Sequence, residues 1–253
     1  MIIIKSQKET EAMREGGKIL AEIMRKLGEI VLPGNNTEEI NKLARKLVFD
    51  NGGVPVFEGY GDPKNPYPAA VCVSINNEIV HGVPRKDRII REGDIVKLDI
   101  GMKYKNLITD MARTFPAGEI SIEAQKLLNA TRESLNEGIK KIKAGAKLSD
   151  YSQTVERYIR LQGFSVVQEL VGHGVGKKLH EDPQIPNYDM HKREIILQEG
   201  MTLALEPMIN AGTRYIKLLK DGWTYATKDG KLSAHFEDTV LVAKDGAEIL
   251  TRI

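Results

Sequence analysis

The sequence predicts an α+β fold: two pairs of helices on one side of a largely antiparallel sheet, in a single domain of two pseudo-symmetric halves. Three observations predict it. Amphipathic helical patterns come in pairs, β-branched runs bounded by Gly, Pro or Asp follow each pair, and the second half repeats the order of the first. At 253 residues the chain can bury a sizeable core. No Pro/Ser-rich linker interrupts it, so residues 1–253 are expected to form one domain with halves at about 1–117 and 118–253.

The first helix opens at Ser6, with Glu9 three residues on as a capping box, and Met13, Leu20, Ile23, Met24 and Leu27 recur at helical spacing. The second opens near Asn36 and Glu39, is expected to bury Ile40, Leu43, Ala44 and Leu47, and stops by Gly52. Strand-like runs follow at 70–75 and 94–101. A third helix is expected from about Ser121 to Lys143 and a fourth from about Ser149 to Gln162, ending before Gly163, with strand-like runs at 201–209 and 235–243. The repeat aligns Gly34 with Gly145 and Gly52 with Gly163 at an offset of 111. It aligns Glu92-Gly93 with Glu199-Gly200, and Asp99 with Glu206, at an offset of 107. A duplicated half-unit would set Asp99 and Glu206 facing each other across a pseudo-two-fold axis.

Composition narrows the function. A net charge of +2 gives no reason to expect a nucleic-acid partner. With Cys72 as the sole cysteine, no intrachain disulfide and no Cys-based zinc site can form, which suits a reducing compartment. The three isoleucines at 2–4 are too few for a signal core, and no apolar run reaches the ~18 residues of a membrane span. A cytoplasmic enzyme or binding protein is the default expectation.

The carboxylates sharpen it. In "DIGMKYKNLITDMARTF" Asp99 and Asp110 sit in apolar strand-like runs, where Asp is disfavoured unless paired. A hairpin turning around Lys103–Asn106 would set them side by side; on this segment alone, two solvent-facing strand-end aspartates fit as well. "LALEPM" ends an apolar run at Glu206, and "SAHFEDTVLV" places Glu237 before a strand, with His235 two residues earlier on the same face if the strand is regular. Taken together, four acids facing one cleft would repel each other, and two divalent cations would neutralise them. His173 would add one nitrogen to this oxygen-rich set, which suits Mn, Fe(II), Co or a catalytic Zn. Ions sharing carboxylates would lie roughly 3–4 Å apart and lower the pKa of a water between them, giving a hydroxide nucleophile. "VGHGVGKKLHEDP" (171–183) leaves three roles open for His173 and His180: metal ligand, substrate contact or plain glycine turn.

Five segments in order, "VSINNEIVHGVP", "GDIVKLDIG" with the aspartate eleven positions after Asp99, "GHGVGKKLHEDPQIPNY", "EGMTLALEPM" and "HFEDTVLV", carry a resemblance. Over nearly the whole chain the sequence resembles the type I, bacterial-type methionine aminopeptidases, which have the pita-bread fold. The short Glu206–Glu237 separation leaves no room for the helical insertion of the type II class, and no zinc-finger extension is expected before the core. The resemblance implies metal ligands at Asp99, Asp110, His173, Glu206 and Glu237, binding two divalent ions (Co, Mn, Fe(II) or Zn). It implies that His180 stabilises charge on the scissile carbonyl oxygen, that His81 hydrogen-bonds near the scissile amide, and that Glu206 is general base and proton shuttle. Tyr67, Cys72 and Trp223 match positions lining the methionine pocket. The implied substrates are N-terminal methionine peptides and nascent chains with a small second residue, cleaved by a monomer. By that rule Met1 of this chain would stay on, because Ile2 is bulky.

Some positions depart from the resemblance. His235 stands where glutamine is usual, Leu179 where an aromatic is common and Asp238 where histidine is frequent; the loop "EGYGDPKNPYPAA" is long. His191 is expected at the surface. The lysines of "IKKIKAGAK" (139–147) read as a solvated helix end, with salt-sensitive contact to ribosomal RNA as the functional alternative. The two rivals are a proline-specific peptidase of the same fold, which shares the five ligands but usually carries an additional N-terminal domain, and a non-catalytic scaffold on this fold, which typically loses ligands.

Overall fold

The computed structural model describes residues 2–190 and 194–253; Met1 and His191 lie outside the described residues. Helix α1 (Gln7–Gly28) starts where the sequence marks it, with the Ser6–Glu9 capping box formed. Helix α2 (Thr37–Asp50) is capped by Asn36 and buries Ile40, Ala44 and Val48. Leu43 and Leu47, expected in the core, are only half-buried, because the buried stripe drifts one position and falls on Val48. Strands β1 (Val54–Pro55), β2 (Cys72–Ile75) and β3 (Glu78–Val80) precede the long hairpin of β4 (Ile95–Tyr104) and β5 (Leu107–Pro116). Helix α3 (Ile122–Ile139) stops four residues short of the expected Lys143, and α4 (Leu148–Leu161) follows.

The second half adds β6 (Ser165–Val166), β7 (Gly172–Gly174), β8 (Glu181–Ile185), β9 (Thr202–Leu205) and β10 (Met208–Asn210). Then come β11 (Ile216–Leu218), β12 (Tyr225–Thr227), β13 (Ser233–His235), β14 (Glu237–Val242) and β15 (Ala247–Ile249). Two expected strands are thus broken. The run 201–209 is interrupted at Glu206-Pro207, since proline cannot donate to the ladder, and 235–243 is interrupted at Phe236. Among the described residues, a nine-stranded sheet runs β1-β4-β5-β14-β9-β7-β8, with β2 and β15 paired onto β4 and β14. Its central β5–β14 pairing joins the halves.

The duplication is written in the hydrogen bonding. The bridge Asn36–Ile89 recurs as Lys147–Ile196. The pairs Val54–Lys103 and Pro55–Met102 recur as Ser165–Asn210 and Val166–Ile209, at the offsets of the sequence repeat. At the join, Thr239 Oγ1 bonds both backbone groups of Asp110, and Thr114 Oγ1 bonds both backbone groups of His235. That crossed exchange is a pseudo-two-fold axis, and it makes His235 the counterpart of Asp110.

Strand alternation sorts the two faces. On β4, Val96, Leu98, Ile100 and Met102 pack with the α1–α2 core, leaving Lys97, Asp99 and Gly101 on the opposite, concave face. On β9 and β14, Leu203, Leu205, Val240 and Val242 pack with the α3–α4 core. Ala204 and Leu241 belong instead to the smaller cluster on the concave side, with Tyr67, Cys72 and Leu179.

Close helix docking over the sheet depends on Gly17, where a Cβ would lie 2.3 Å from the Leu250 carbonyl oxygen. Gly17→Ala is therefore expected to destabilise the protein by about 1–3 kcal/mol through overpacking. Gly246→Ala, with nothing within 4 Å of the added carbon, is expected to leave stability unchanged. Urea unfolding of the two variants measures the contrast.

Candidate metal centre and substrate cavity

The β4–β5 hairpin turns through Lys105 and Asn106, both at positive φ, as a two-residue hairpin loop requires. Its register pairs Asp99 with Ala112 and Gly101 with Asp110, so the two aspartates are diagonal neighbours on the concave face. Gly101 matters here: a Cβ would lie 2.6 Å from Val56 and 3.0 Å from the Phe57 ring. Glu237 opens β14 opposite Ala112, on the far side of the same hairpin. Glu206 follows β9 where Pro207 stops the ladder, and His173 lies on β7 opposite Ala204.

All five side chains line one cavity of about 170 Å³. Ligand atoms of Asp110, His173 and Glu237 lie within 4.8 Å of one another. Glu206 Oε1 is 3.5 Å from His173 Nε2, and its Oε2 is 3.4 Å from His235 Nε2. Although the strand breaks at Phe236, His235 still meets the cluster, through Glu206.

The electrostatics are those of a site short of positive charge. Burial raises the pKa of Asp99, Glu206 and Glu237 well above the carboxylate range, and the neighbouring acids raise them further. Burial also raises Asp110, to about 7. Asp99 Oδ1, Asp110 Oδ1 and Glu237 Oε1 are buried with no hydrogen-bond partner. Orphaned buried acceptors of one sign are costly, and oxygen-binding divalent cations are the groups that satisfy them. The donor set therefore fits a metal.

Burial depresses the histidines. His173 falls to about 3 and is neutral; its Nδ1–H donates to the Gly174 carbonyl at 2.9 Å, leaving the Nε2 lone pair free. His81 falls to about 4, by burial and by the nearness of His180, and its backbone is held at φ 58, a left-handed strain seldom kept outside functional sites. His180 is lowered by burial and hydrogen-bonds the Tyr60 hydroxyl through Nδ1. The rings of His173 and His180 are 4.3 Å apart, edge to face.

Tyr67, Cys72 and Trp223 also line the cavity. Tyr67 is buried, bonds the Gly82 carbonyl at 2.9 Å and meets Trp223 edge to face at 5.2 Å. Leu179 forms part of the wall. Sequence reasoning missed Phe57, Tyr60 and Met208, which line it too. Tyr60 sits in a loop read only for its length, and no periodicity marks a loop aromatic.

Comparisons with known proteins agree with one another. Residues 11–244 match metallopeptidase family M24. The chain is 45% identical over its full length and that of methionine aminopeptidase 1 of Bacillus subtilis. It superposes on the crystal structure of a methionine aminopeptidase from Thermotoga maritima with a TM-score of 0.96 and 42% identity, each chain fully covered. The prolidase of Pyrococcus furiosus, 23% identical with a TM-score of 0.78, shares the pita-bread fold over 99% of this chain and 66% of its own.

The raised carboxylate pKa values set a pH dependence. A carboxyl whose pKa is higher folded than unfolded stabilises the fold below its unfolded value, and that contribution is lost as pH rises through the folded one. In chelated protein the loss should set in above about pH 4 and continue through the Asp110 value of about 7. Added divalent metal needs the deprotonated acids, so the gap in Tm between metal-loaded and chelated protein should widen from pH 5.5 to 8. Scanning fluorimetry at matched ionic strength measures it; a gap constant with pH would contradict this account.

Proposed function

The chain belongs to metallopeptidase family M24, among its methionine aminopeptidases, and from that premise we propose how its own residues remove an N-terminal methionine. It is a metal-dependent aminopeptidase of the bacterial type. In our reading Asp99, Asp110, His173, Glu206 and Glu237 hold two divalent cations. The observation that carries this is the set of buried acids with orphaned oxygens around one neutral imidazole. Cations bound there supply Lewis-acid polarisation and make water at the site more acidic. The oxygen-rich donor set suits Fe(II), Mn, Co or Zn.

Glu206, whose carboxylate reaches both His173 and His235, takes the proton of the attacking water and returns it to the departing amide nitrogen. With the Tyr60 hydroxyl donating to Nδ1, His180 keeps its Nε2–H and donates it to the carbonyl oxygen as charge develops. His81, neutral by burial, hydrogen-bonds the scissile amide. Tyr67, Cys72 and Trp223 hold the thioether, a soft side chain suited to aromatic walls. A small residue follows the methionine in preferred peptides and nascent chains. Lys140, Lys141, Lys143 and Lys147 are all exposed and offer salt-sensitive contacts to ribosomal phosphates.

Activity on Met-Gly-Met-Met and on X-Pro peptides, titrated with Fe(II), Mn, Co and Zn after chelation, tests the reading; cleavage of X-Pro peptides alone overturns it. Asp99→Asn, Asp110→Asn and Glu237→Gln are expected to abolish turnover with loss of bound metal. His180→Ala should retain metal and lower kcat by about 10²–10³-fold. Elemental analysis beside steady-state kinetics separates the two classes.

A further inference from the structure

We propose that Lys5 is a positioning residue for the reaction: its buried ammonium, paired with Glu181, fixes the loop that carries His180. The inference rests on the role given to His180 above.

Lys5 and Glu181 form an ion pair with side chains only 1% and 2% exposed. The two residues lie 176 positions apart along the chain. Lys5 lies in the arm before α1, its backbone N–H bonded to the Gly200 carbonyl at 2.9 Å and Ser6, the helix cap, next to it. Glu181 immediately succeeds His180. Its Oε1 accepts the backbone N–H groups of Lys177 and Lys178, at 2.5 and 3.0 Å, and its Oε2 accepts the Lys5 ammonium. One carboxylate thus gathers the turn with one oxygen and ties it to the arm with the other.

The sequence makes room for this contact. Gly176 sits at φ 146, and a Cβ there would lie 2.4 Å from Lys5 Cε. The last glycine of "GHGVG" thus leaves space for the lysine stem. An exposed bridge also runs between the first turn of α1 and the loop, Glu9 to Lys177 at 2.9 Å, but Lys177 is 50% exposed and such pairs contribute little.

Stability does not explain the buried pair, since apolar replacements of such pairs often hold a fold equally well. Its position does. The His180 ring packs on His173 and meets the hydroxyl of Tyr60, itself an exposed side chain of the entrance loop. Firm anchorage comes from behind, at Glu181. His180 is needed only as charge develops on the carbonyl oxygen, so a loosened loop should lower kcat and leave KM nearly unchanged.

The test uses metal-loaded enzyme and a Met-Gly-Met-Met peptide. Lys5→Met alone leaves Glu181 buried without its partner. The double variant Lys5→Met/Glu181→Gln removes that charge and keeps an amide oxygen for Lys177 and Lys178, so it carries the test if the single variant does not fold. The double variant is expected to hold its metal and a near-normal Tm, with kcat lowered about tenfold or more and KM within about twofold. Lys177→Gln, on the exposed bridge, should retain full kcat. Normal kcat in the double variant, beside an impaired His180→Ala, overturns the tether alone. A kcat that falls only in step with metal content or folded fraction also overturns it. Normal kcat in His180→Ala overturns the reading of His180 and this inference together.

Discussion

The interaction on which the rest depends is mutual repulsion among four buried carboxylates. Asp99, Asp110, Glu206 and Glu237 line one small cavity, and burial, reinforced at most of them by their neighbours' charges, disfavours ionisation. Each buried, uncompensated charge costs several kcal/mol. A fold stable by only about 5–15 kcal/mol cannot carry four of them at neutral pH without protons or cations. The apolar clusters behind the sheet therefore do more than fill space. The stiff β4–β5 hairpin, backed by Leu98, Ile100 and Met111, keeps Asp99 and Asp110 on one face when repulsion would part them.

Duplication explains how such a site is assembled, and its broken symmetry explains why the site is chemically uneven. Asp99 and Glu206 are counterparts, as the sequence repeat suggests. Asp110 and His235 are counterparts by the crossed threonine bonds, which no sequence offset anticipates. The offset changes between these pairs because the β11–β12 hairpin lies where the first half has a two-residue turn. The axis therefore relates a carboxylate to a carboxylate at one position and a carboxylate to an imidazole at the next. Glu237 has only Ala112 opposite it. A symmetric scaffold thus carries an asymmetric donor set, and the two sides of the cavity differ in basicity.

Much of this was legible in the sequence, for definite reasons. The Ser6–Glu9 capping box and the Asp99–Asp110 hairpin are local, so adjacent residues determine them. The repeat was visible because helix–turn units kept their glycines at fixed spacing. The errors came where tertiary context decides. Pro207 and Phe236 interrupt runs that read as continuous strands, and on α2 the buried stripe takes Val48 and leaves Leu47 half-buried. Tyr60 beside His180, and Lys5 beside Glu181, join segments far apart along the chain; nothing in either segment alone names its partner.

The placement of the chain's own cations completes the argument. Lys97 shares the concave face with Asp99, two residues away, and its pKa is lowered to about 7 by burial. Yet its ammonium is given to the carbonyl oxygens of Asn76, at 2.7 Å, and Ser233, at 3.1 Å, one from each half. Arg88 is committed to Glu78 and to the carbonyls of Val73 and Val83. Arg113, between Asp110 and the end of the hairpin, turns to Asp238. Lys97, redirected towards Asp99, would neutralise an acid, whereas Arg113 sits opposite Leu98 on the helix-covered face of the sheet. Each is instead held by a carbonyl or a different carboxylate, so the negative charge of the hollow is left uncompensated from within. A cavity built of fixed acids, with nearby bases bound elsewhere, keeps its strongest attraction for cations that come from solution.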